Sequence, residues 1–218
     1  MLYNFSQEGR TIFAPSLNYV VAEVQVMDPE SEFDLLKKEI LSKESSIIDD
    51  NKFVSDWGTR MGKNSLTSRA NDYNLLDFKN TKNLRESIKN FHELYLKIFQ
   101  QELGTDKYYV QCWANVMREK EKIFPHRHSG DGYSYLSGNL CMEVADTSTY
   151  YIHPFTDEPW ESKNENGKMT MFPSFVKHYT DPVPAGQTRV TIAFDILTEE
   201  AYNVFSETYP NSTLVELH

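Results

Sequence analysis

Three histidines and one arginine carry the chemistry this chain can do. His126 and His128 stand two residues apart in Pro125-His126-Arg127-His128. On a strand, residues i and i+2 point to the same face, so both imidazoles can reach one ion. His178 lies fifty residues later, just after the apolar run Met169 to Val176. A third nitrogen from another strand would complete one face of an octahedron and leave three positions open, as oxygen-activating ferrous chemistry requires. A His-x-His pair alone is a weak signal, because two surface histidines at a loop edge read the same way. Arg189 follows eleven residues after His178, with Thr191 on the same strand face. The opposite face carries Val190, Ile192, Phe194 and Ile196. An inward arginine on such a strand needs an anion to answer it. A bound carboxylate would fit the guanidinium fork, with the Thr191 hydroxyl adding a donor. An internal ion pair with Glu143 or Asp195 is the structural alternative.

These residues sit in a half of the chain patterned for strands. From Tyr108 to Met117, Val110, Cys112, Ala114 and Val116 alternate with Gln111, Trp113 and Asn115. Tyr135 to Val144, Thr149 to Ile152, Lys168 to Phe172 and Arg189 to Leu197 read likewise as strands. Turn-forming clusters at Ser129 to Gly132, Asn164 to Gly167 and Pro184 to Gly186 separate them. Such short, punctuated strands predict a sandwich, barrel or jelly roll.

The first half predicts helix and loop. Asp28-Pro29 reads as a helix opening, with Phe33, Leu36, Ile40 and Leu41 at helical spacing. Residues 43–83 are polar and irregular, and read as long surface loops. A firmer helix is predicted from Leu84 to Leu103, with an Asn83/Glu86 capping box and Gly104 as its stop. His92 on that helix reads as a solvated or capping residue.

Composition bounds the function. The 218 residues suffice for one medium domain plus an extension, and 39% hydrophobic with 13% aromatic residues is too rich for disorder. With 22 Lys+Arg against 32 Asp+Glu, the net charge of −10 argues against an extended footprint for nucleic acid or anionic membrane. The apolar runs fall far short of the ~20 residues of a membrane span. No secretory signal is visible, and Cys112 and Cys141 lie in apolar runs, so buried reduced thiols and a cytoplasmic setting are expected.

Taken together, Trp113-Ala114-Asn115-Val116, Pro125-His126-Arg127-His128, Leu136-Ser137-Gly138, Phe172-Pro173-Ser174 with His178, and Arg189-Val190-Thr191 resemble the Fe(II)- and 2-oxoglutarate-dependent oxygenases. The nearest likeness is to a small, mostly uncharacterised group of such oxygenases found in bacteria and tailed phages. The resemblance covers about residues 108–198. It implies an α+β, mainly β fold: a double-stranded β-helix (jelly roll) with N-terminal helices buttressing one sheet. Residues 1–107 would then be a helical and loop extension, 108–198 the oxygenase core and 199–218 a tail. It also implies Fe(II), 2-oxoglutarate and O2 as cofactor and co-substrates. His126 and His178 correspond to the first and last metal ligands, Arg189 with Thr191 to the pair holding the distal carboxylate of 2-oxoglutarate, and Asn115 to a pocket residue. Asn139 is a weaker candidate, and Tyr133, Tyr135 and Trp160 could shape a substrate pocket.

One departure matters. Most of that superfamily has a carboxylate two residues after the first histidine, and here His128 stands there. Either three histidines hold the iron, which strand geometry favours, or Asp131 swings in as the acid. The reaction implied is a dioxygenase coupling decarboxylation of 2-oxoglutarate to succinate with hydroxylation of a peptidyl residue such as proline, an amino acid or a small metabolite. A three-histidine cupin-type iron dioxygenase and a non-catalytic jelly-roll module are the rival readings. Oligomeric state has no signature in the sequence.

Overall fold

A computed structural model describes residues 1–28, 31–50, 58–128, 135–209 and 213–218. Its elements run β1 (Leu2–Gln7), β2 (Leu17–Gln25), α1 (Glu32–Asp49), α2 (Lys82–Ile98), β3 (Tyr108–Met117), β4 (Leu136–Glu143), β5 (Ser148–Ile152), β6 (Pro159–Lys163), β7 (Lys168–Pro173), β8 (His178–Thr180), β9 (Arg189–Thr198), α3 (Glu199–Thr208) and β10 (Val215–Glu216). Among the described residues, seven strands form one sheet in the order β1-β2-β7-β4-β9-β3-β10 and three form a second, β6-β5-β8. Every pairing is antiparallel. The two sheets enclose a cavity, and the fold is a jelly roll with α1 and α2 on the outer face of its larger sheet.

Alternation along β3 and β9 decides which side is which. Val110, Cys112, Ala114 and Val116 of β3 and Val190, Ile192, Phe194 and Ile196 of β9 join one core cluster with Leu36 and Ile40 of α1 and Leu84, Ile88, Phe91 and Tyr95 of α2. Each buried Val, Leu, Ile or Phe among them contributes roughly 1.5–3 kcal/mol. The pairing is in register, with Asn115 opposite Thr191 and Gln111 opposite Asp195, so the polar positions of both strands share the cavity face. A slip of one residue would turn Arg189 into that apolar core, which makes the register strongly specified.

The N-terminal third differs from expectation. β1 and β2 were not foreseen, and β2 hydrogen-bonds to β7, so this hairpin is part of the larger sheet. The stretch 43–83 is not simply surface loop: α1 continues to Asp49, and 3-10 turns at Leu66–Arg69 and Leu75–Asp77 are buried against the larger sheet. Leu66, Leu75 and Leu76 supply the apolar contacts, and the Asn74 amide donates to the carbonyls of Val110 (2.9 Å) and Thr213 (2.7 Å). Short apolar anchors separated by polar caps leave no periodic trace in sequence, which is why the segment reads as loop. Residues 51–57 lie outside the described residues.

Helix ends differ as well. α2 spans Lys82–Ile98 rather than Leu84–Leu103, and the first left-handed residue after it is Gln100 (φ 55°), four residues before Gly104 (φ 62°). Instead of a local Asn83/Glu86 box, the Glu32 carboxylate of α1 accepts from the backbone N–H groups of Lys82 (2.7 Å) and Asn83 (3.0 Å). The Asn83 side chain donates to Asp28 at 3.0 Å, and Asp28 also accepts from Glu32 and Phe33, so α1 starts at Glu32, later than the Asp28-Pro29 opening suggests. These orphan donors are thus satisfied across two helices rather than within one. His92 is fully buried, not solvated, with ring nitrogens 2.9 Å from the Tyr135 hydroxyl and 3.2 Å from His218. Burial, and then the neighbouring His218, push its pKa down to about 3. Cys112 and Cys141 are free and buried, and burial pushes both thiols up. Among the described residues no helix is long and apolar enough to cross a membrane.

Gly138 shows how tight the sheet is. A Cβ there would lie 2.5 Å from the Thr170 carbonyl oxygen and 2.3 Å from the Phe194 ring. Gly138→Ala is expected to destabilise the fold by about 1–3 kcal/mol, as overpacking does. Thermal denaturation checks it, and an unchanged melting temperature would show that β4 and β7 can part without penalty.

Candidate metal centre and co-substrate pocket

The backbone brings the histidines together. His126 and His178 exchange both main-chain bonds, N–H to O at 3.1 and 2.9 Å, in an antiparallel bridge on the free edge of β8. The N–H of His128 donates to the Ser174 carbonyl at 3.0 Å. The ring centroids of His126 and His178 stand 4.3 Å apart and those of His128 and His178 5.1 Å apart. One ligand atom from each residue lies within 4.8 Å of the others, and the Nε2 atoms of His126 and His128 are 3.2 Å apart.

Each Nδ1 faces an acceptor. That of His126 lies 2.9 Å from the Phe124 carbonyl, that of His178 3.1 Å from the Val176 carbonyl, and that of His128 2.7 Å from Asp195 Oδ1. With the proton held on Nδ1, every ring turns an Nε2 lone pair inward, the arrangement seen behind metal-ligating histidines. Lone pairs 3.2 Å apart repel unless a cation lies between them. Two metal–nitrogen bonds of ~2.1 Å at right angles would set them about 3 Å apart. Burial first, then the charge of His128, push His126 down to about 4. Burial, with both neighbouring histidines, holds His178 well below its ordinary value. Both rings are therefore neutral at pH 7, the form that ligates.

Arg189 occupies the same cavity, which has a volume of about 510 Å³. Its side chain is buried, and one terminal nitrogen donates to Thr149 Oγ1 at 3.1 Å. Nε and the other terminal nitrogen have no hydrogen-bond partner among the described residues. Neither foreseen carboxylate answers it: Glu143 pairs with Lys37 at 3.1 Å, and Asp195 is held by His128. Asp195 stands six residues along β9 from Arg189, roughly 20 Å of strand, which is too far for an ion pair. Burial lowers the Arg189 pKa, yet a guanidinium stays charged in proteins. A buried cation with two idle donors costs several kcal/mol unless an anion joins it.

The other expected residues fall unevenly. Asn115 accepts from the Thr67 hydroxyl, and its amide lies 3.5 Å from Thr191 Oγ1, so both stand beside Arg189 on the cavity wall. Asn139 lines the cavity and donates to the Tyr151 hydroxyl at 3.2 Å. Tyr135 lines it too, whereas Trp160 stacks on Tyr3 with centroids 4.6 Å apart and is not in the wall. The side chain of Trp160 lies on the short strand β6, which has too little alternation to be read in advance. Asp131, Tyr133 and the turn 129–132 lie outside the described residues. Sequence reasoning missed Thr149, which steadies the guanidinium, and missed Asp195 as the partner of His128. It also left the tail unassigned: Ala201, Val204 and Phe205 of α3 close one end of the cavity.

Residues 111–195 match a family model described as "Putative 2OG-Fe(II) oxygenase". In sequence and in fold the core resembles the 2OG-Fe(II) oxygenases. A Pseudomonas putida prolyl-4-hydroxylase superposes with a TM-score of 0.52 at 10% identity, covering 81% of this chain and 91% of that one. A prolyl hydroxylase from Trichoplax adhaerens, solved with a peptide fragment of the hypoxia inducible factor oxygen degradation domain, gives 0.55 at 10% identity, covering 84% and 86%. The alpha ketoglutarate dependent epimerase SnoN from nogalamycin biosynthesis gives 0.51 at 12% identity, covering 81% and 77%. At such identities these likenesses show the shared fold. A comparison with curated proteins finds no match. Oxygenases of that description take Fe(II), 2-oxoglutarate and O2, and the histidine triad has the number and spacing of ligand atoms that could hold one metal ion.

His178→Ala is expected to lower Fe(II) affinity by more than the ~10–100-fold that outer hydrogen-bond partners control. Anaerobic equilibrium dialysis measures this, and undiminished affinity would remove His178 from the ligand set.

Proposed function

We propose that the protein is an Fe(II)- and 2-oxoglutarate-dependent dioxygenase that hydroxylates an amino acid, a small metabolite or a peptidyl residue such as proline. The observation that carries this reading is the half-satisfied, buried guanidinium of Arg189 in the cavity that holds the histidine triad. His126, His128 and His178 are assigned to the metal. Arg189, Thr191 and Asn115 are assigned to the far carboxylate of 2-oxoglutarate.

The register of the small sheet supports the spacing. Tyr151 pairs with His178 and Thr149 with Thr180, and Arg189 donates to Thr149. The guanidinium therefore sits one two-residue step from the level of His178, roughly 7 Å along the strand. A five-carbon dicarboxylate bridges such a gap, with its keto-acid end toward the histidines. When bound, iron and 2-oxoglutarate supply the oxidising power: one oxygen atom of O2 goes into succinate as carbon dioxide leaves, and the other goes into the hydroxylated product. The chain's own part is to hold the co-substrate by charge and hydrogen bonds, to keep the rings neutral, and to exclude water with Phe172, Trp113 and the apolar side of α3. A cupin-type centre leaves Arg189 without a task unless the guanidinium grips the substrate itself.

Two outcomes test the reading. Anaerobic addition of 2-oxoglutarate to the Fe(II)-loaded protein should give a visible metal-to-ligand charge-transfer band. Iron uptake without that band would favour the three-histidine dioxygenase, and no iron uptake would leave a binding module. Arg189→Ala should raise the apparent KM for 2-oxoglutarate about 100-fold, since two charge-assisted hydrogen bonds of ~1.5 kcal/mol each are lost. Steady-state succinate formation measures it, and an unchanged KM would move the carboxylate site elsewhere.

A further inference from the structure

The residues Ser137 and Ser174, prominent in the sequence motifs, have no place in the iron or co-substrate assignments above, yet they meet behind His128. Asp195 Oδ1 lies 2.7 Å from His128 Nδ1 and accepts from the Ser137 hydroxyl at 2.5 Å. Ser137 Oγ is 2.8 Å from Ser174 Oγ, and the Ser174 carbonyl receives the N–H of His128. Ser137 and Ser174 are buried, and the Asp195 side chain is 24% exposed. Three residues, one from β4, one just past β7 and one from β9, therefore form a chain of contacts behind the His128 ring. Among the described residues, the only basic side chain within ion-pair distance of Asp195 is His128.

We propose that Asp195, steadied by Ser137 and Ser174, is the positioning residue that makes His128 the third metal ligand and returns to the centre, through that ring, the negative charge a directly bound carboxylate would have supplied. The proposal rests on the iron reading above. The carboxylate holds the His128 proton on Nδ1, aims Nε2 at the ion and raises the ring's donor strength. Ser137 keeps Asp195 on that task through the oxygen that also faces His128, and Ser174 contacts Ser137 and fixes the backbone of the histidine segment.

The test is a double-mutant cycle on the full chain, read as Fe(II) affinity by anaerobic equilibrium dialysis, with thermal melts of each apo variant. Asp195→Asn should weaken Fe(II) binding by about 10–100-fold with little change in melting temperature. In the His128→Asp background, where the ring is gone, Asp195→Asn should cost less than about threefold or improve affinity by removing a like charge. An equal loss in both backgrounds, or no loss in either, overturns the proposal. A second readout is independent of whether His128→Asp folds. The Co(II)-loaded protein should show three exchangeable, paramagnetically shifted ring N–H resonances, and Asp195→Asn should shift or broaden one of them. Three unchanged resonances would overturn it. A wild-type protein that takes up neither metal would sink the iron reading itself, a result the cycle distinguishes because it precedes every variant.

Discussion

A strand can carry charge on one face inside a domain only if its other face is wholly apolar and anchored. β9 is built on that constraint. Its even positions are locked into the helix-side core, which leaves Arg189, Thr191, Ala193 and Asp195 no option but the cavity. The two charged residues stand at opposite ends of this row. One is a buried cation with idle donors, and the other is an anion held against a histidine. Because strand spacing keeps them apart, they cannot cancel each other: the anion is answered by His128, and the cation lines the cavity with two donors unused among the described residues.

The smaller sheet completes the arrangement from the opposite wall. It carries His178 at the start of β8, gains His126 through a single pair of backbone bonds, and sets Thr149 against Arg189. The histidine corner and the Arg189 corner are thus both tied to the smaller sheet. Polar groups at both corners are half-satisfied by the protein, which lowers the stability of the empty fold and raises its affinity for ligands that finish the network. Ordering of this kind places ring nitrogens before any ion arrives, so binding does not have to fund the alignment of loose side chains.

In the proposed centre, histidine in place of the usual carboxylate ligand would change the electrostatics without discarding the acid. The charge would then sit on Asp195, behind a polarisable ring, where Ser137 of β4 contacts it and Ser174, just past β7, contacts Ser137. The helices and the N-terminal hairpin contribute at a distance. α1 and α2 cover the outer face of the larger sheet, the hairpin extends that sheet, and the buried 3-10 turn at Leu66–Arg69 brings Thr67 to Asn115 on the cavity side.

From the residues alone, period-two patterning located five strands of the core and assigned the inward faces of β3 and β9, since alternation is a local property of an extended chain. His178 and Arg189 were legible because each is chemically costly on a strand that has no use for it. His126 with His128 was legible because a pair two residues apart can reach one ion, although their segment forms only an isolated bridge and not a strand. Other features depended on distant segments meeting. Burial of His92, the capping of α2 by Glu32 and the docking of residues 66–77 all join parts of the chain with no local signature. The choice of partner for Asp195 was decided the same way. Sequence offers it Arg189 on the same strand face, but strand rise separates the two, while folding carries the histidine segment across to within hydrogen-bond reach. Local periodicity tells which way a side chain faces; only the packing of sheet against sheet tells what it meets there.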